Sequence, residues 1–487
     1  MKNIKKGLTF NDLLLVPKKS NYYINNILTE TKLTKNIILN IPIISAAMST
    51  ITTHEMAIEM AKYGGIGIIH KNLSIKEQAY EVDLVKKYES GMIKNPLYTF
   101  ESVPVLEVIQ TMQKYKISGL PVVKSENDKK LIGIITNRDI RFLDKNTNLL
   151  VKDVCTKNNL ITANPKTSLE EAKKILHKNR IEKLILVDSN FNLAGLITIK
   201  DIEKKIEYPN ATLDNEGRLR VGAAVSVSED TIDRIKELIK FGADVIVLDS
   251  AHAHSSNVLE LTKKIKIKFP KINLIVGNVA TKEAAIDLIK LNVDAIKVGM
   301  GPGSICTTRV IAGIGVPQAT AIMDVAEVCK KHNIPVIADG GIRTSGDITK
   351  AIGCGASSVM LGNLLAGTDE APGEITFYQG QKYKSYYGMG SIQGMKEGGA
   401  DRYFQSKSKK FIAEGVKGFI PYKGPVSKVI YQLVGGLKSG MGYCGCENIP
   451  SLQTTAEFLE ITNQGIAEGN VHDLDIVESS QQNDTIN

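Results

Sequence analysis

Residues 297–310 read KVGMGPGSICTTRV and place one cysteine, Cys306, in a loop that also carries Gly299, Gly301 and Gly303. Glycines at that density let backbone amides and carbonyls approach a ligand closely. A thiol in such a loop is either incidental or a nucleophile. A free cysteine has a pKa near 8.5, so only a few per cent is thiolate at neutral pH, and its surroundings must raise its reactivity. Other polar and glycine residues follow short apolar runs in the same way: Asp249, Ser250, His252 and His254 after DVIVL, Asn278 after INLIVG, Asp339-Gly340-Gly341 after IPVIA, and Gly362-Asn363 after SSVML. ADGGIR and GNLLAG have the form of phosphate-binding loops, in which amides and a helix start face the anion, and Asp339 suits ribose hydroxyls. Taken singly, each glycine is explained by a tight turn; the ordered pair favours phosphate. His252 and His254 alternate as zinc ligands can, but no third ligand is spaced to join them, and structural hydrogen bonding is the better reading.

The elements that must position these residues alternate in type. Between Val221 and Leu361, six β-branched runs (VGAAVSV, DVIVL, INLIV, DAIKV, IPVIA, SSVML) are separated by amphipathic segments such as EDTIDRIKELIKFG, with apolar Ile232, Ile235, Leu238 and Ile239 at helical spacing. Glycine or asparagine after each helix fits a C-cap. Two more strands, IPIIS from Ile41 and IGIIH from Ile66, bring the count to eight, which predicts a (β/α)8 barrel with its site at the C-terminal ends of the strands. Between the two early units and the other six, residues ~93–206 repeat themselves at an offset of about 62 residues, so that Thr136 and Asp139 match Thr198 and Asp201. Each copy reads as a βαββα module, about 93–150 and 151–206, with the threonine capping the last helix. The expected division is barrel 1–92, tandem modules 93–206, and barrel 207–487.

Bulk properties narrow the class. Hydrophobic residues make up 43% and charged residues 23% of 487, ordinary for a globular chain. No run reaches the ~18 apolar residues of a membrane span, and the four-residue apolar stretch near the start is too short for a signal peptide. Six cysteines without a CxxC pair make no disulfide framework, so a reducing, cytoplasmic setting is expected. The CGC at 444–446 is a weak metal or redox signal and reads better as packing. The net charge of +9 is spread along the chain; without a basic arm interleaved with aromatics, no specific nucleic-acid partner is expected, although the field favours phosphorylated substrates.

The motifs together carry a resemblance. GPGSICTTR followed by GVPQATAI, with FNDLLLVP, SAAMST, ADGGIR, YGMGS, DRYFQ and GGLKSGMGYCG, resembles the inosine monophosphate (IMP) dehydrogenase family over nearly the whole chain. The repeated segment resembles tandem CBS modules, which pair to form purine-nucleotide sites. The resemblance implies that Cys306 adds to C2 of IMP, that hydride passes to NAD, and that water hydrolyses the thioimidate to xanthosine monophosphate (XMP). It assigns water activation to Arg402 beside Tyr403, in a mobile flap within ~380–420. An arginine is an awkward base, because its pKa above ~12 keeps it protonated in water. Thr308 would relay protons, in series with Glu414, although Glu414 is better read as a hydrogen-bond partner of the purine base. Ser304, Asp339, Gly340, Gly341, Gly362, Asn363, Tyr386, Tyr387, Gly388, Met389, Gly390 and Glu414 would hold IMP. Asp249, Ser250, Gly299, Met300 and Gly301 would hold NAD. Carbonyls of Gly301, Gly303 and Cys306, with Glu468, Gly469 and Asn470 of a neighbouring subunit, would hold a monovalent cation, potassium, in a homotetramer.

Three positions depart from the family pattern: Asn363 where serine is common, Tyr387 where arginine is common, and Ala253 where glycine is common. The first two bear on phosphate grip, the third on backbone geometry near NAD. The nearest rival is guanosine monophosphate (GMP) reductase, which shares barrel and cysteine but deaminates with NADPH; the resemblance implies that it lacks the flap motif and generally the CBS pair. A nucleotide sensor on an inactive barrel is the rival from another class, and the intact Cys306, Arg402 and Asp339 argue against it. The polar tail VESSQQNDTIN is expected to be disordered.

Overall fold

Eight parallel strands close into a ring in a computed structural model of the chain, which describes residues 4–88, 96–115, 117–143, 148–405 and 408–471. The expected disordered tail lies outside the described residues. In chain order the strands are β1 (Ile43–Ser45), β2 (Ile66–Ile69), β3 (Val221–Val225), β4 (Val245–Asp249), β5 (Asn273–Val279), β6 (Ala295–Val298), β7 (Val336–Asp339) and β8 (Ser358–Leu361). Each pairs with its chain-order neighbour, and β8 closes on β1 through Met360 opposite Ile44. The eight following helices are α1 (His54–Lys62), α2 (Ile75–Lys86), α3 (Thr231–Lys240), α4 (Ser256–Lys268), α5 (Lys282–Lys290), α6 (Gln318–Lys331), α7 (Ser345–Gly353) and α8 (Val426–Tyr443). The left-handed residues Gly64, Gly242, Asn292, Asn333 and Gly355 end five of them, as their sequence positions imply.

Strand side chains alternate between faces, and this decides the ring's interior. Val245, Val247, Ile275, Ala295, Ile337 and Met360 pack together with Ile44, Ile66 and Ile68 as a buried cluster. Two residues beyond Val247, Ala295 and Ile337, on the same faces, stand Asp249, Lys297 and Asp339. The interior therefore turns from apolar to charged at the C-terminal ends of the strands.

The chain divides into two compact units, one holding residues up to Asp83 and from Val221 onward, the other Leu84–Arg220. The second contains two β-α-β-β-α repeats. The sheet of Thr99–Phe100, Gly119–Val123 and Leu131–Thr136 has the strand order of the sheet of Thr162–Ala163, Lys183–Val187 and Leu193–Thr198. The copies meet reciprocally: Leu131 N–H donates to Phe191 O at 3.0 Å and Leu193 N–H to Lys129 O at 2.9 Å. Leu131, Ile185, Val187 and Leu196 form a joint core. Thr136 heads the short helix Asn137–Ile140, and its N–H and hydroxyl both donate to Asp139 at 2.7 Å.

Between β8 and α8 lies an antiparallel sheet of Ile375–Tyr378, Gln381–Tyr387 and Lys417–Pro421. Its first two strands join through Gln379 and Gly380, with φ of 48° and 76°, as a two-residue hairpin turn requires. The excursion from Tyr387 to Lys417 carries the helix Ile392–Lys396 and the turn Gly399–Tyr403. Asp401 anchors that turn by accepting from Lys71, after β2, and from Ser226, after β3.

Candidate active site

A cavity of about 990 Å³ opens at the C-terminal ends of the barrel strands. Cys306, Thr308, Ser304, Asp339, Gly340, Gly341, Gly362, Asn363, Tyr386, Gly388, Met389, Gly390, Arg402, Tyr403 and Glu414 all line it, as do Asp249, Gly299, Met300, Gly301 and Gly303. Ser250 and Tyr387 do not. Glu468, Gly469 and Asn470 are exposed at the end of the helix Asn463–Glu468, away from the cavity.

Cys306 is partly exposed and donates toward Thr308 Oγ1 at 3.1 Å, which in turn donates to Glu414 Oε2 at 2.7 Å. Glu414 is 108 residues on from Cys306; the return strand of the excursion docks against the cysteine loop, with Thr307 N–H donating to Glu414 O at 2.9 Å and Val416 N–H to Ile305 O at 3.0 Å. A thiol, a hydroxyl and a carboxylate in series can carry the thiol proton away. The other cysteines have no such setting. Burial pushes Cys329 and Cys354 up to about 12, and Cys444 and Cys446 are buried, with Cys446 Sγ near Cys444 O at 3.4 Å and Thr455 Oγ1 at 3.3 Å; the CGC is packing.

The charged layer is held by a lysine that the sequence reading passed over. Lys297 is 1% exposed. Its Nζ lies 2.9 Å from Asp249 Oδ1 and 2.5 Å from Asp339 Oδ2, and also donates to Asn278 Oδ1. Asn278 Nδ2 donates to Asp339 Oδ2 at 2.9 Å and to Gly299 O at 2.7 Å. One ammonium thus joins the carboxylates on β4 and β7. The signal available was a cation inside the otherwise apolar run DAIKV. Removing one partner of a buried ion pair strands the other. Lys297→Met is expected to lower stability by about 3 kcal/mol, read as a shift in chemical unfolding, and to impair turnover as well.

Arg402 Nη1 pairs with Asp249 Oδ2, and Arg402 O accepts from Ala251 N–H at 3.1 Å. Tyr403 stacks behind on Gly390; a Cβ there would lie 2.7 Å from the phenol. Burial pushes the Tyr403 hydroxyl up, and the adjoining Arg402 opposes that. Gly340 and Gly341, with φ of 88° and 81°, turn the backbone after Asp339 in a way that non-glycine residues resist.

The GNLLAG segment does not begin a helix, contrary to the expectation. Residues 363–367 form a turn in which Leu365 and Ala366 N–H both donate to Gly362 O, at 3.0 and 2.9 Å. Asn363 donates to Ser304 Oγ at 3.2 Å. Tyr387 points away from the cavity, its hydroxyl 2.9 Å from both Glu397 oxygens, while its neighbour Tyr386 is buried against Gly362. Ala253 is buried without a positive φ, its N–H donating to Asn278 O at 2.9 Å, so its methyl group costs nothing. His254 Nε2 lies 3.1 Å from Asp287 Oδ2, the structural hydrogen bonding that its sequence suggested.

A family model described as "IMP dehydrogenase / GMP reductase domain" matches residues 7–472. The chain belongs to the IMP dehydrogenase / GMP reductase family. It is 54% identical over 476 residues to inosine-5'-monophosphate dehydrogenase of Bacillus subtilis, covering 98% of this chain and 97% of that protein. It is 56% identical over 477 residues to the enzyme of that name from Aquifex aeolicus, with the same coverage. Among solved structures, a GMP reductase variant from Trypanosoma brucei in complex with guanosine 5'-monophosphate superposes with a TM-score of 0.87 at 39% identity, covering 97% of this chain and 99% of that one. That coverage extends through the 84–220 unit, so the insertion by itself does not tell a dehydrogenase from a reductase. Among the described residues, no helix is long and apolar enough to cross a membrane.

Proposed function

We propose that this protein is an IMP dehydrogenase, oxidising IMP to XMP with NAD for guanine nucleotide biosynthesis, with Cys306 as its covalent nucleophile. The observation that carries this reading is the relay from Cys306 through Thr308 to Glu414 in the cavity that also holds Asp339 and Arg402. A purine C2–H is a poor hydride donor; a tetrahedral thiolate adduct is a far better one. The thiol proton passes to Thr308 and Glu414 as the C2–S bond forms and the C2=N3 π pair moves onto N3, to re-form the double bond when hydride departs. NAD supplies the acceptor for the hydride that leaves C2 with its electron pair. Water then adds to C2, the C–S bond breaks, and a proton returns to sulfur, giving XMP. Asp339 holds the ribose, and Ser304, Gly340, Gly341, Gly362, Asn363, Tyr386 and the backbone at 388–390 surround the phosphate and base.

Asp249 is assigned to NAD together with the loop 299–301, yet its carboxylate pairs with Arg402 in this structure. With Oδ1 facing Lys297 and Oδ2 facing Arg402, the docked flap competes with the cofactor for Asp249, so flap docking and cofactor binding alternate: oxidation proceeds with Arg402 away, hydrolysis with Arg402 in place. Tyr403 adjoins Arg402, which acts as water's proton acceptor in this reading. The carbonyls of Gly301 and Cys306 accept from no donor among the described residues, while that of Gly303 accepts from Cys306 N–H at 3.0 Å; all three are neutral oxygens that suit a monovalent cation in place of water, and the exposed Glu468, Gly469 and Asn470 of a neighbouring subunit would complete the ligand set in a tetramer. In the repeat unit, read as CBS modules for purine nucleotides, Asp139 also accepts from Thr156 Oγ1 at 3.1 Å, a contact that a nucleotide ribose would displace. The side chain of its counterpart Asp201 lies outside the described residues.

The test is direct. IMP and NAD should yield reduced cofactor by absorbance, and protein quenched in acid during turnover should carry a nucleotide adduct on the Cys306 peptide. Turnover with no adduct there sinks the nucleophile assignment. NADPH consumption with GMP, and none of the first signal, reassigns the chain to the reductase branch that the Trypanosoma structures represent.

A further inference from the structure

Lys423 follows the last strand of the excursion sheet, behind the phosphate-facing turn. Its Nζ donates to Asn363 O at 2.8 Å and Leu364 O at 3.2 Å, and its own N–H donates to Gly367 O at 2.9 Å. A trans peptide directs its N–H opposite to its C=O. An ammonium on Asn363 O therefore leaves Leu364 N–H pointing away from it. Among the described residues, the N–H groups of Gly362, Asn363 and Leu364 donate to nothing. The turn is thus pinned by its carbonyls on one side and has unspent donors on the other. Its neighbour Lys384 also donates to carbonyls, of Thr368, Asp369 and Ala371, but feels Asp369, Glu370 and Glu55. Among the described residues no carboxylate pairs with Lys423, and burial pulls it down to about 8. A half-buried cation without a counter-ion is costly and is best compensated by an anion that arrives.

On the reading that the 362–364 turn takes the nucleotide phosphate, we infer that Lys423 is a positioning residue for that phosphate: it orients and polarises the turn's amides and adds positive charge behind them. Its contribution is specific to the phosphate, because Lys423 does not line the cavity and acts only through the turn.

The experiment compares dissociation constants of IMP and of inosine, which lacks the phosphate, for the full-length wild type, Lys423→Met and Lys423→Gln, with each variant's folding checked by thermal unfolding. Lys423→Met should weaken IMP by about ten- to a hundredfold, the range for a hydrogen-bonded charge, and leave inosine unchanged. Lys423→Gln keeps a donor for the carbonyls without charge; it should fall between the two and serves alone if the methionine variant does not fold. A general packing role would weaken IMP and inosine equally, and an unchanged IMP-to-inosine ratio overturns the inference. If wild type binds IMP no more tightly than inosine, the phosphate reading itself fails.

Discussion

Cys306→Ala abolishes formation of reduced cofactor, with a loss of at least about 10⁴-fold, while IMP binding changes only a few-fold. The size of the effect follows from the lack of a substitute. Four of the other five thiols are buried, burial raises Cys329 and Cys354 far from thiolate formation, Cys155 belongs to the other compact unit, and none of the five lines the cavity. Without sulfur on C2 there is no tetrahedral adduct from which hydride can depart. Binding survives because the groups assigned to ribose and phosphate, Asp339, Gly341, Gly362 and Tyr386, stand on other strands. Calorimetry for IMP and a rapid-mixing absorbance trace measure both halves. Residual turnover within a hundredfold of wild type would mean that the hydride leaves by another route.

Arg402→Ala separates the two half-reactions. One equivalent of reduced cofactor per site should appear at near wild-type rate, followed by a steady state slower by about 10²–10³-fold, the range for loss of a proton-transfer group, with the Cys306 adduct accumulating. The arginine reaches the cavity only because the Gly399–Tyr403 turn is tethered through Asp401 to Lys71 and Ser226, and it rests on Asp249, clear of the Cys306 relay. Lysine should not rescue it, being a point charge on a different stem. Added guanidine should restore hydrolysis, more so as pH rises if a neutral guanidine takes water's proton. A burst and steady state slowed in equal measure would place Arg402 in the first step instead.

The barrel was legible because its strands are β-branched runs at parallel-sheet spacing, and because Cys306, Thr308, Asp249 and Asp339 end or follow such runs; Arg402 and Tyr403, in the excursion after β8, were found through the family motif alone. What escaped depended on contacts distant in sequence. Nothing around Lys297 in the chain announces Asp249 and Asp339, which adjoin it only when the ring closes. Glu414 meets Thr308 across 106 positions, so only the family resemblance, and no local spacing, could join them as a relay. Tyr386 and Tyr387 are equivalent in composition, and only the two-residue period of their strand sends one inward and the other toward Glu397. GNLLAG looked like a helix start from its glycines, yet it turns back on Gly362 O and hands its loose amides to the cavity instead.

The ring's second and third strands, paired through Gly67 and Val221, are separated in the chain by the whole repeat unit. On the ribosome, β1 and β2 therefore emerge long before most of their partners exist, since β1 also needs β8. The repeat unit, whose pairings are local, can reach its native state while those two apolar segments still wait. A trigger-factor-like holdase captured on stalled nascent chains should thus engage most strongly while the last barrel strands are still inside the exit tunnel, and let go once Leu361 has cleared it.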